Sequence, residues 1–183
     1  LKAKGDLQAA IKSYKQAIQI NPEYDEAYNN MGNALEYQGD TEAAIESYKQ
    51  ALKINPNCAV YYYNMGNVLK DKGDSKAAIN SYKKALEINP DYVEAHNNMG
   101  LALNNTGDSE EAIESYSHVL KIEPCYALAY NNMGKALQIK GDSKAAIESY
   151  EHSLRINPDY LEPHYNLGML LLENSQYGKA AEH

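Results

Sequence analysis

The dipeptide Gly-Asp returns every 34 residues, at Gly5-Asp6, Gly39-Asp40, Gly73-Asp74, Gly107-Asp108 and Gly141-Asp142. Proline keeps the same step at Pro22, Pro56, Pro90, Pro124 and Pro158. So does Met-Gly, at Met31-Gly32, Met65-Gly66, Met99-Gly100 and Met133-Gly134, with Leu167-Gly168 closing the series. A fixed period of this length restricts the chain to an array of stacked units, because one unit alone cannot bury its apolar face. No linker or shift in composition interrupts the period, so residues 1–183 read as one array rather than two domains. Whole repeats span 25–58, 59–92, 93–126 and 127–160, flanked by partial repeats 1–24 and 161–183. A piece of a longer array is expected.

Each period reads as two helices. Between Asp25 and Gln38, the residues Ala27, Tyr28, Met31, Ala34 and Leu35 recur at i, i+3 and i+4, the stripe of an amphipathic helix. Gly39 then supplies the left-handed residue that ends it. Asp40 and Thr41 offer oxygens to the unpaired amides of the next helix, which carries Ala44, Ile45, Tyr48, Ala51 and Leu52 at the same spacing. Asn55-Pro56 stops that helix, since the residue before proline is steered away from helical angles. Asp91 with Glu94 and Asp159 with Glu162 sit at capping-box spacing. The partial repeats predict an opening helix from Leu7 to Ile20 and the start of a second helix at Gln176.

Composition narrows the function. Lys and Arg number 17 and Asp and Glu 25, a net charge of −8. An acidic chain lacks the counterion-releasing stripe that a nucleic-acid binder needs, and the same balance opposes an anionic membrane surface. No apolar run approaches the ~18 residues of a spanning helix, and no apolar leader opens the chain. The two cysteines, Cys58 and Cys125, are too few for a disulfide framework, and free thiols in a reducing, cytoplasmic compartment are expected. Metal-ligand spacings and phosphate-cradling glycine loops are missing, and Gly134-Lys135 lies inside a helix, so neither an enzyme nor a cofactor or metal site is expected. There are 17 Tyr but no Phe or Trp, so every aromatic ring carries a hydroxyl. Tyr14, Tyr48, Tyr82, Tyr116 and Tyr150 form a core column whose hydroxyls should reach the surface. His96 and His164 occupy core aromatic slots, while His118 and His152 fall on exposed second-helix faces.

The residues Tyr28, Met31-Gly32, Leu35, Ala44, Tyr48, Ala51 and Pro56 fill the signature offsets of the tetratricopeptide repeat, which this chain closely resembles. Tyr62, Met65-Gly66, Leu69, Ala78, Tyr82, Ala85 and Pro90 repeat the match. Departures are mild: His96 and His164 replace the first aromatic, and Val119 and Ser153 replace a small Ala. The resemblance implies an all-α, right-handed superhelical solenoid of antiparallel helix pairs. It also implies that the second, fifth, sixth, ninth, twelfth and thirteenth positions of each first helix line a concave groove.

At the sixth position stand Asn30, Asn64, Asn98, Asn132 and Asn166, without exception. The fifth holds Asn29, Tyr63, Asn97, Asn131 and Tyr165, and the ninth Asn33, Asn67, Leu101, Lys135 and Met169. A carboxamide both donates and accepts, so a row of them can hold an extended peptide backbone with little regard to its side chains. The row is similar to the asparagine ladder in the repeat arm of O-linked N-acetylglucosamine transferase. Equally, Asn at the sixth position could bond between adjacent first helices and fix the repeat geometry. The other lining positions hold Glu26, Glu36, Lys70, Asp71, Glu94, Glu162 and Glu173 among apolar and neutral residues. With Lys135, six acids face two bases, which favours a neutral to mildly basic segment. The Lys and Arg clamp by which some arrays hold acidic chaperone tails is absent.

These residues predict a non-catalytic interaction module that binds an extended peptide or protein segment in its groove. The alternatives are a structural spacer or self-assembling scaffold, joined end to end, or the substrate-recruiting arm of an enzyme whose catalytic domain lies outside this sequence.

Overall fold

A computed structural model describes residues 2–181, with side chains from 6 to 175. Ten helices follow one another, with no strand among the described residues: α1 (Lys2–Ile20), α2 (Asp25–Gln38), α3 (Thr41–Ile54), α4 (Ala59–Asp71), α5 (Ser75–Ile88), α6 (Val93–Thr106), α7 (Ser109–Ile122), α8 (Ala127–Lys140), α9 (Ser143–Ile156) and α10 (Leu161–Ala181). The fold is an all-α helix-pair solenoid, gathered into two compact units, Leu1–Ala95 and His96–His183.

Helix boundaries follow the punctuation of the repeat. Gly39, Gly73, Gly107 and Gly141 adopt φ of 85 to 89°, where a side chain would be strained. The next amide then reaches back to a carbonyl five residues earlier, as from Asp40 to Leu35 at 2.9 Å and from Asp74 to Leu69 at 2.9 Å. This closes the helix C-terminus and sets the turn. Asp40, Asp74 and Asp142 cap the following helix, each accepting from an amide three residues on at 3.1–3.2 Å. Asp108 differs, because its carboxylate accepts the Thr106 hydroxyl at 2.6 Å instead. After the second helix, Asn21, Asn55 and Asn89 accept from the amide two residues on at 3.1–3.3 Å, and the following proline keeps the chain out of the helix.

Three expectations need correction. Asp91 and Asp159 do not cap helices, since α6 and α10 start two residues later, at Val93 and Leu161. Asp91 instead donates its amide to Asn89 Oδ1 in the asparagine turn. The break expected at Gln176 is missing, and α10 runs on to Ala181. Ser175 stands where the other repeats carry the left-handed glycine, so nothing favours a turn there. At the other end α1 starts at Lys2 and runs through Gly5-Asp6, rather than opening at Leu7.

In the first unit α2 pairs with α3 and α4 with α5, while α1 packs on α2 and α3 on α4. Its core gathers Ile11, Ala34, Leu35, Ala44, Tyr48 and Val68, with Met31 and Met65 packed against them. In the second unit α8 pairs with α9, flanked by α7 and α10, around Ala146, Tyr150 and Leu170. The glycine at the eighth position of each first helix admits the second-helix tyrosine. A Cβ on Gly32, Gly66, Gly100 or Gly134 would come within 2.6 Å of the ring of Tyr48, Tyr82, Tyr116 or Tyr150 respectively. All four rings are fully buried. The substitutions at small slots are absorbed: Val119 and Ser153 are fully buried, and the Ser153 hydroxyl donates to the Ala127 carbonyl at 2.8 Å.

Candidate functional site

The buried tyrosines define the floor of the first-helix face. Their hydroxyls were expected at the surface, yet each is enclosed and bonded to a side chain of its partner first helix. Tyr48 donates to Asn33 Oδ1 at 2.7 Å and approaches Glu36 Oε2 at 3.2 Å. Tyr82 donates to Asn67 Oδ1 at 2.8 Å. In the second unit the ninth position is Leu101 or Lys135, and the hydroxyl turns to the twelfth. Asn104 Nδ2 lies 3.4 Å from the Tyr116 hydroxyl, and Tyr150 donates to Gln138 Oε1 at 3.1 Å. A buried hydroxyl needs a partner, and the carboxamides at the ninth and twelfth positions supply it. Burial raises the Tyr48 and Tyr116 pKa far above the ordinary phenol value and that of Tyr150 to about 12, so these three stay protonated, Tyr48 and Tyr150 as donors and Tyr116 as the acceptor from Asn104.

The sixth-position asparagines bond backwards to the preceding repeat. Asn64 Nδ2 donates to Asn29 Oδ1 at 3.0 Å, Asn132 Nδ2 to Asn97 Oδ1 at 3.3 Å, and Asn166 Nδ2 to Asn131 Oδ1 at 3.2 Å. The fifth-position amides pass the chain along: Asn29 donates to Asn30 Oδ1 and Asn97 to Asn98 Oδ1, both at 3.3 Å. Burial separates the columns. Asn29, Asn97 and Asn131 are buried between helices, and Asn132 is 2% exposed, whereas Asn30 is exposed and Asn64, Asn98 and Asn166 are half-buried. Tyr63, at the fifth position, packs its ring 4.9 Å from that of Tyr92 and 6.1 Å from that of Tyr82.

Both lysines on this face are engaged by acids. Lys70 pairs with Asp71 at 2.7 Å, and Lys135 pairs with Glu162 Oε1. Glu162 also accepts from Asn131 at 3.1 Å and from Tyr160 at 3.2 Å. The Lys135 ammonium, more than these neutral donors, holds the Glu162 carboxyl below its ordinary pKa. Glu36 goes the other way, pushed up by burial and by the nearby Asp71 despite the Tyr48 hydroxyl. Among the described residues, no group of three or more His, Cys, Asp or Glu is placed to hold a metal ion.

Several contacts left no trace in the repeat pattern. Tyr61 takes a slot that holds Ala27, Ala95 and Ala129 in other repeats. Its hydroxyl donates to Asp25 Oδ2 at 3.0 Å, alongside Asn55 Nδ2 at 2.9 Å. His96 stacks on His118 with ring centroids 4.9 Å apart, and Tyr130 on His152 at 5.0 Å. His164, expected in a core slot, is exposed, with Nε2 2.8 Å from the Pro158 carbonyl. The neighbouring Pro163, in the slot of Ala27, Ala95 and Ala129, is fully buried. The cysteines are free thiols, Cys58 half-buried and Cys125 exposed.

Family models described as TPR repeat match residues 1–39 and 66–107, and others described as tetratricopeptide repeat match 25–58, 91–159 and 149–182. The chain belongs to the tetratricopeptide repeat family. No curated protein matches it. Among solved structures it is similar to MamA, at 28% identity over 86% of this chain and 92% of that one, with a TM-score of 0.80. It is similar also to YrrB, described as a TPR protein with an unusual peptide-binding site, at 25% identity, 91% and 86% coverage, and a TM-score of 0.80. The first TPR of Spaghetti (RPAP3), bound to the HSP90 peptide SRMEEVD, shares the fold at 20% identity, 64% and 93% coverage, and a TM-score of 0.62. A protein-interaction scaffold is the function its family supports. No helix among the described residues is long and apolar enough to cross a membrane.

Proposed function

We propose that this chain is a non-catalytic module that binds an extended, neutral to mildly basic peptide along its first-helix face. The observation that carries the reading is the carboxamide row, in which Asn64, Asn132 and Asn166 each direct Nδ2 to the preceding repeat. One amide hydrogen is thereby committed, while the half-buried Asn64 and Asn166 keep further capacity for a peptide unit. The row is held in place before any ligand arrives, which lowers the ordering cost of binding. The pairing of Lys70 with Asp71 and of Lys135 with Glu162 leaves the face without the cationic clamp an acidic tail would need. YrrB, a TPR protein with an unusual peptide-binding site to which this chain is similar, points the same way.

The same hydrogen bonds favour a second reading, in which the asparagines only fix the spacing of adjacent first helices. Asn132, almost wholly buried, fits that role best. The two roles divide by exposure. Asn30 and Asn64 are the proposed ligand contacts in the first unit, while Asn29, Asn97, Asn131 and Asn132 support the row from beneath. Asn132→Ala should lower the melting temperature by removing a buried hydrogen bond of net ~0.5–1.5 kcal/mol. Asn30→Ala should leave the melting temperature in place and weaken a peptide obtained by display selection on the intact chain. Equal affinity for Asn30→Ala and the unaltered chain would contradict the peptide reading and favour the scaffold.

A further inference from the structure

The tyrosine column reaches the first-helix face from below, and the direction of its hydrogen bonds has a chemical consequence. The Tyr48 ring is fully buried, and its hydroxyl meets Asn33 Oδ1 at 2.7 Å, shorter than its 3.2 Å approach to Glu36. Tyr82 makes the same bond to Asn67 at 2.8 Å. In a planar carboxamide the oxygen and nitrogen point to opposite sides. Once the oxygen is taken by a hydroxyl on the buried side, the Nδ2 hydrogens are turned outward. Asn33 is half-buried, so that outward side meets solvent. Asn64 is oriented in the opposite sense, its Nδ2 committed to Asn29 and its Oδ1 left as the acceptor.

We propose that the buried Tyr48 hydroxyl is a positioning group for peptide recognition, fixing Asn33 so that it offers donors to a backbone carbonyl while Asn64 offers an acceptor to a backbone N–H. This inference rests on the peptide-binding reading above and adds a polarity to it: the ninth position reads carbonyls and the sixth reads amides. Repeats whose ninth position is Leu101 or Lys135 lack the device, and there Tyr116 and Tyr150 turn to Asn104 and Gln138. The carbonyl-reading site therefore belongs to the first unit.

The test uses the intact chain and a short peptide selected on it from a random display library. The peptide is retained only if Asn30→Ala with Asn64→Ala weakens its binding by about 5-fold or more. If no such peptide emerges, the peptide-binding reading itself fails. With one in hand, each backbone carbonyl is replaced in turn by a thiocarbonyl, a poorer acceptor. The unaltered chain should bind at least one thioamide about 3- to 10-fold more weakly than the parent peptide. Tyr48→Phe keeps the ring but frees Asn33, so discrimination at the carbonyl that Asn33 reads should vanish, while any at a carbonyl over Asn67, which Tyr82 holds, should stay. Tyr116→Phe removes an equally buried hydroxyl that touches no ninth-position carboxamide, and should preserve it. Asn33→Leu, which places there the residue of the third repeat, should abolish the discrimination even if Tyr48→Phe fails to fold. Discrimination that survives undiminished at every carbonyl in either Tyr48→Phe or Asn33→Leu overturns the proposal. So does its loss in Tyr116→Phe, or its absence from the unaltered chain.

Discussion

At the scale of single residues, the molecule turns on a glycine and a tyrosine that meet in every complete helix pair. The Gly66 Cβ position lies 2.6–3.0 Å from three atoms of the Tyr82 ring, and that ring has no room to retreat. Gly66→Ala should therefore destabilise the fold by about 1–3 kcal/mol, seen as a lower unfolding midpoint in urea. Gly168 occupies the same position in the sequence period, but nothing lies within 4 Å of its Cβ. Gly168→Ala should be neutral or gain up to ~1 kcal/mol, because only helix propensity changes. Glu36 provides a titration counterpart. Burial raises its pKa, so its charged form is disfavoured in the folded state, and that cost applies above the raised value and disappears below it. Glu36→Gln keeps an acceptor for Tyr48 and should raise the unfolding midpoint at pH 7, with the gain closing as the pH falls through the carboxylate range. Close packing at Gly32, Ala44 and Ala51 was legible in the sequence, because small residues recurred at fixed offsets. The destination of the tyrosine hydroxyls was not, since it depends on whether the ninth position holds Asn33 and Asn67 or Leu101 and Lys135.

At the scale of helices, punctuation residues decide where elements begin and end, and here the sequence was most informative. The left-handed glycines and the proline stops, Asn-Pro after α3, α5 and α9 and Glu123-Pro124 after α7, place the boundaries of α2 to α5 and α7 to α9 almost residue by residue. The misplacements at Asp91 and Asp159 arose because capping-box spacing is a local pattern, whereas the preceding asparagine turn had already claimed the Asp91 amide. The caps can be ranked. Asp74 accepts from the Ala77 amide at 3.1 Å, so Asp74→Ala should cost about 1 kcal/mol in a thermal or urea melt. Asp108 makes no side-chain cap, and Asp108→Ala should cost less. Between helices, Asp25 joins α2 to Asn55 after α3 and to Tyr61 on α4. The Asn55 hydrogen bond is the largest cause that holds the Asp25 carboxyl below its ordinary value, with Tyr61 contributing, against burial. A depressed acid stabilises the fold above its unfolded pKa, ~3.9, and that contribution is lost as the pH falls through the lowered value. The stability difference between the native chain and Asp25→Asn should therefore be largest near neutrality and shrink below pH ~4.

At the scale of the whole molecule, a single period assigns the fold class and the family. The candidate face was legible only in part. Invariant asparagine at the sixth position marked it, but whether a carboxamide faces a ligand or a neighbouring helix depends on three-dimensional burial. Exposure now separates the sixth-position asparagines, with Asn30 exposed and Asn132 almost wholly enclosed. On the proposed reading, the acidic balance of 25 against 17 and the pairing of Lys70 and Lys135 with Asp71 and Glu162 favour a peptide without a strongly acidic tail. The central claim is that the first-helix carboxamides bind a peptide backbone. The most direct measurement is the affinity of Asn30→Ala with Asn64→Ala for a display-selected peptide, taken together with the melting temperature of the same variant. Loss of two hydrogen bonds of net ~0.5–1.5 kcal/mol each predicts binding weakened roughly 5- to 150-fold while the chain remains folded. A melting temperature lowered by several degrees, with the affinity unchanged, would contradict the claim and leave the asparagines as helix spacers.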